Sequence, residues 1–145
     1  MFGDTLAGAT GVSDTLVAGG GNDTLSVLQG SNLLEAGAGS TTMFGGSGND
    51  TFVGGSGNDT VVLGAGNDSF TGGAGADTVD AGYNGGSATI TGGASTTIYD
   101  ANAGTSIAFQ QVLANGYTQI VFGNGQVLES QGATINFSDG QTLST

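Results

Sequence analysis

The chain has 145 residues, 31 of them Gly and none Pro or Cys, with twelve carboxylates, no Lys, Arg or His, and a formal net charge of −12. That charge argues against nucleic acid and anionic membranes as partners, since both are held by basic patches. The missing His and Cys leave no Ser/His or Cys/His machinery, no disulfide and no thiolate metal site, so the chain is read as a non-enzyme.

In chain order, Met1-Phe2-Gly3-Asp4 shows neither a basic nor an apolar leader region, so no cleaved secretory signal is read and export would use a leaderless route. Asp4-Thr5-Leu6 looks like one repeat unit displaced by a residue. A nine-residue beat then holds for eight units, with Leu16, Leu25, Leu34, Met43, Phe52, Val61, Phe70 and Val79 at one position. Two residues before each stand Asp14, Asp23, Asn32, Thr41, Asp50, Asp59, Asp68 and Asp77. The clearest copies are GGSGNDTFV from Gly45, GGSGNDTVV from Gly54 and GGAGADTVD from Gly72. Numbering each unit so that the Asp is position 6 puts the apolar residue at position 8. Glycines at positions 2 and 4 permit sharp turns, and positions 7–9 read as a very short strand. One unit is a turn plus a strand, and two units make an 18-residue coil.

Such coils stack at roughly 4.8 Å, the usual inter-strand spacing. The spacing predicts an all-β parallel solenoid with inward ladders Leu16, Leu34, Phe52, Phe70 and Leu25, Met43, Val61, Val79, and with the position-6 carboxylates facing outward. Columns of carboxylates without a side-chain cation point to bound divalent cations.

The beat fails after Asp80. Residues 82–86 read as a loop, and Thr89-Ile90-Thr91 and Thr97-Ile98-Tyr99 as imperfect further coils. Residues 106–113 fit a short helix or, preferably, a strand. Residues 117–122 and 126–129 flank Asn124-Gly125 as a hairpin, and 133–137 with 141–143 suggest another. The expected division is a roll over 1–82 and, over 83–145, imperfect coils with a hairpin-rich cap and a possible secretion-signal region.

The repeat resembles the RTX (repeats-in-toxin) family of calcium-binding nonapeptides, whose G-G-x-G-x-D-x-U-x pattern residues 9–80 carry. The resemblance implies a right-handed parallel β-roll with Ca2+ between successive turns on the same side, held by position-6 Asp and by carbonyls of the glycine turns. Carried onto this chain, Asp50 with Asp68 and Asp59 with Asp77 form complete pairs. Asp14–Asn32 and Asn32–Asp50 are half-charged, and Asp23 and Asp59 each face Thr41. The carbonyls implied lie near Gly46, Gly48, Gly55, Gly57, Gly64, Gly66, Gly73 and Gly75. Two strong sites are therefore expected in the second half of the roll, with weaker or empty ones in the first. The competing reading is that these Asp residues only form local Asx turns. Asp80, Asp100, Asp139, Glu35 and Glu129 lie off the beat and read as solvated charges. The four Asn-Asp-Thr/Ser triplets match an N-glycosylation pattern only because the repeat contains it.

The resemblance also implies type I secretion and folding outside the cell, where calcium is abundant. Three roles follow. One is a self-assembling surface-layer, fibre or biofilm-matrix subunit, using position-9 residues Phe44, Val62 and Val53 and stackable ends as interfaces. Another is a monomeric calcium-binding or secretion module of a larger protein. The third is ice binding, from the Thr column Thr24, Thr42, Thr60, Thr78, against which stand Ser47, Ser56, Ala65 and Ala74 at the turns.

Overall fold

A three-residue strand with one inward side chain buries too little to stand alone, so it persists only when copies stack. The computed structural model describes residues 2–81, 86–100, 107–113, 116, 118–122, 126–137 and 142–145, and in it they do stack. Strands β1 (Thr5–Ala7), β2 (Thr15–Val17), β3 (Thr24–Ser26), β4 (Leu33–Glu35), β5 (Thr42–Phe44), β6 (Thr51–Ser56), β7 (Thr60–Val62), β8 (Gly66–Ala74) and β9 (Ala76–Asp80) alternate between two parallel faces. One face runs β1-β3-β5-β7-β9 and the other β2-β4-β6-β8.

The inward ladders form in the expected register: Leu16, Leu34, Phe52 and Phe70 pair in sequence on one face. Leu25, Met43, Val61 and Val79 do so on the other. All eight are buried and form the central core. The chain is an all-β parallel solenoid, and no helix occurs among the described residues.

Strand β10 (Gly86–Asp100) joins the faces, its first half lying beside β8 and its second beside β9. The pairing distance grows to 20 residues for Phe70↔Ile90 and to 19 for Val79↔Ile98. Of the loop expected before it, 82–85 lie outside the described residues, and Gly86 opens β10. Ile90 and Ile98 continue the inward ladders, so both imperfect coils are real. At the other end Thr5 pairs with Thr24, which admits the displaced Asp4 unit as a first coil.

Beyond β10 the pairing changes hand. Strand β13 (Val127–Phe137) is the last parallel rung, running along β10. Strands β12 (Thr118–Phe122) and β14 (Thr142–Ser144) pair with β13 antiparallel, as the two expected hairpins, and β11 (Ile107–Val112) pairs with β12 as a strand rather than a helix. Strands β1 and β2 end the strand order at the N-terminal side. Among the described residues the first strands thus pair parallel and the last antiparallel.

Coil-to-coil approach is closest at position 4 of the turn. Gly66 has φ +130, and a Cβ there would run into the carbonyl of Gly48, so both conformation and space demand glycine. Gly66→Ala is expected to cost the calcium-loaded fold roughly 1–2 kcal/mol or more. Gly19→Ala is expected to be close to neutral, because nothing lies within 4 Å of a Cβ at Gly19. Urea unfolding of the two variants tests the contrast.

Candidate metal centre

Position 6 is where one coil holds the next. Its side-chain oxygen accepts the backbone N–H of the position-6 residue one coil earlier: Asn32 N–H to Asp50 Oδ1 at 2.8 Å, Asp50 to Asp68 at 2.9 Å, Thr41 to Asp59 at 2.8 Å and Asp59 to Asp77 at 3.1 Å. These are bonds between coils, not local turns, so the Asx-turn reading does not describe them. Asp23, Asp50, Asp59, Asp68 and Asp77 are at most 5% exposed. The outward carboxylate expected from the sequence is thus corrected: position 6 lies in the wall of the turn, covered by its neighbours.

One oxygen of Asp23, Asp50, Asp59, Asp68 and Asp77 is engaged in this ladder. The other, Oδ2, is buried without a hydrogen-bond partner in Asp14, Asp50, Asp59 and Asp77. A buried carboxylate oxygen with nothing to bind is costly, and no Lys, Arg or His exists to answer it. A hard cation fits this donor set. Among the described residues no three acidic side chains converge. Each gap between coils thus offers two carboxylates at most, and the rest of a calcium shell of roughly 6–8 oxygens has to come from carbonyls or water. Gly46 already accepts the Ala65 N–H at 2.8 Å, which leaves its carbonyl one further lone pair.

Electrostatics tell the same story. Burial pushes the Asp59 and Asp68 carboxyls up to about 6, against the pull of the N–H bonds from Thr41 and Asp50, with the neighbouring Asp77 and Asp50 charges adding to the rise. Asp50 and Asp77 are raised for the same first reason, burial.

The substituted units behave differently. Asn32 Oδ1 accepts the Asp14 N–H at 2.9 Å and so keeps its place in the ladder. Thr41 instead donates its hydroxyl to the Ala36 carbonyl at 3.3 Å, and the Asp23 N–H turns to the Ser40 carbonyl at 3.2 Å. The columns end where Ala88 stands beside Asp68 and Thr96 beside Asp77.

Two sets of residues escaped the sequence reading. Asp4 donates its N–H to Asp23 Oδ1 at 2.7 Å and so forms a further two-carboxylate rung. The signal was its displaced unit. Position 5 carries a second ladder of opposite direction: Asn49 Oδ1 accepts from Asn67 N–H at 2.9 Å, and Asn58 Oδ1 from Ala76 N–H at 2.8 Å. Its nine-residue recurrence was visible but was assigned to the glycosylation-like triplet. Of the off-beat carboxylates, Glu35 and Asp80 are half-buried, and Glu129 accepts the Gln119 amide at 2.7 Å. Asp139 and the side chain of Asp100 lie outside the described residues.

A family model of the RTX calcium-binding nonapeptide repeat, four copies long, matches at residues 8–43, 28–61 and 44–79. Comparison with curated proteins gave no match, and comparison with solved structures gave none. RTX nonapeptide repeats bind Ca2+ ions and are typical of secreted bacterial proteins. Among the described residues no helix is long and apolar enough to cross a membrane.

The raised carboxyls give the metal-free fold a pH dependence of known sign. Asp59 and Asp68 hold protons up to about 6 in the fold but only to about 3.8 when unfolded. Their protonation therefore favours the fold fully below 3.8, and that support is lost as pH rises through about 6. In chelator, circular dichroism is expected to show more β-structure at pH 4.5 than at pH 7.5, with calcium restoring it at pH 7.5. Identical spectra at both pH values in chelator would contradict the burial of these groups.

Proposed function

The chain belongs to the RTX calcium-binding nonapeptide-repeat family through residues 8–79, and we propose that it is an extracellular structural protein whose roll folds on binding calcium and then associates with itself. The observation that carries the calcium-driven folding is the set of four buried, partnerless carboxylate oxygens in a chain with no side-chain cation. Bound calcium supplies the missing positive charge between coils. Asp50 with Asp68 and Asp59 with Asp77 hold it in the second half of the roll. Asp4 with Asp23 adds a rung in the first, and Asp14 contributes with Asn32. Carbonyls near Gly46, Gly48, Gly55, Gly57, Gly64, Gly66, Gly73 and Gly75 complete the shells. Without the ion the stacked charges keep the coils apart; at the millimolar calcium found outside cells, sites of this weak class fill. Calcium thus acts as a folding trigger tied to location.

Self-association is supported by the outer surface. Phe44 is 40% exposed and sits directly beside Val62 on the neighbouring strand. Val53 offers a smaller apolar spot on the opposite face. A monomeric module of a larger secreted protein is the second reading, favoured by the half-burial of Val53 and Val62 and by the antiparallel strands over the C-terminal end.

Two outcomes test these readings. Asp68→Asn and Asp59→Asn are each expected to raise the calcium midpoint of folding at least about tenfold, roughly 1.4 kcal/mol, while Glu35→Gln leaves it unchanged. Equal effects of all three in a circular-dichroism titration would sink the site assignment. In sedimentation velocity the calcium-loaded chain is expected to form oligomers that Phe44→Asp dissolves without loss of β-structure. A wild-type monomer at all concentrations would select the module reading.

A further inference from the structure

We infer that the side-chain amide of Asn32 stands in for a cation, so that the gap between Asn32 and Asp50 closes without calcium. The inference rests on the reading that position-6 carboxylates hold calcium elsewhere in the roll.

The orientation of the amide is fixed by its partners. The Asp14 backbone N–H can only donate, and it reaches Asn32 at 2.9 Å, so the atom it meets is Oδ1. Nδ2 therefore points the other way. It donates to Asp50 Oδ1 at 2.8 Å, to the Gly30 carbonyl at 3.1 Å and, more weakly, to the Gln29 carbonyl at 3.4 Å. One carboxylate and two turn carbonyls are the oxygen types a calcium ion gathers in such a turn. Here a neutral N–H2 group, 3% exposed as part of Asn32, gathers them instead.

Asp50 Oδ1 receives two donors from Asn32, the backbone N–H and the amide, both at 2.8 Å. Among the described residues, Asp68 Oδ1 accepts the Asp50 backbone N–H with no side-chain amide beside it. Asp50 Oδ2 stays without a partner. The Asp50 carboxylate thus divides its work, with one oxygen for the amide and one left for a metal.

Thr41, in the next unit, is a second neutral donor, its hydroxyl bonded to a carbonyl of its own turn at 3.3 Å. Residues 27–44, which hold both substitutions, make one whole coil. Toward the next coil it is tied by the Asn32 amide to Asp50 and by the Thr41 N–H to Asp59, hydrogen bonds that no chelator removes.

Asn32→Asp deletes the donor and adds a carboxylate, so it is expected to turn the gap into a calcium site. Equilibrium dialysis against 45Ca2+ should find at least one more ion bound per chain than in the wild type. An equal or smaller number in a folded Asn32→Asp chain would overturn the inference. Should that variant not fold, the calcium-loaded wild type decides by NMR. The Asn32 side-chain amide protons are expected to exchange with solvent at least tenfold more slowly than those of exposed Asn58. Equally fast exchange would overturn the inference. Asp68→Asn, dialysed in parallel, separates the two layers of the argument. If it loses no calcium, the carboxylate sites themselves are wrongly assigned, whatever Asn32 does.

Discussion

A carboxylate has two oxygens, and in this roll they face different problems. One is satisfied within the chain by an N–H from the coil before, and that bond recurs from Asp4 through Asp77 with a break at Thr41. The other is buried, charged and unanswered in four of the residues. Backbone geometry produces both conditions at once. Holding the coil in register requires the carboxylate to turn into the wall, and turning it there removes it from water. The hydrophobic ladders inside supply cohesion, yet burying stacked charges opposes it.

The stitching is directional. Position-6 side chains reach back toward the preceding coil, whereas position-5 side chains reach forward, Asn49 to Asn67 and Asn58 to Ala76. Ser40 performs the forward reach for Asn58 at 3.2 Å, with a hydroxyl in place of an amide. Neighbouring turns are thus gripped from both sides at adjacent positions, and the forward grip carries no charge. It adds contacts between coils without placing a further charge in the turn.

Much of this was legible in the sequence, because period and turn chemistry are local signals. The inward ladders from Leu16 to Phe70 and from Leu25 to Val79, the coils at Ile90 and Ile98 and both C-terminal hairpins follow from spacing and from the turn residues between strands. The direction of the carboxylates did not follow. An inside-or-outside choice suits a flat strand, and position 6 sits at a corner, where a third environment exists between stacked turns. Asp4 was hidden by a pairing distance of 19 rather than 18 residues. Asn32 and Thr41 read as losses of charge, and only the hydrogen-bond partners show what each neutral group does in its place.

The unlike ends bear on symmetry. Strands β1 and β2 present parallel rungs, while β11 and β14 present antiparallel ones. Joining these two described ends would set parallel rungs against antiparallel ones. An array built through the flank where Phe44 lies beside Val62 would take its repeat distance from the width of the roll rather than from its length.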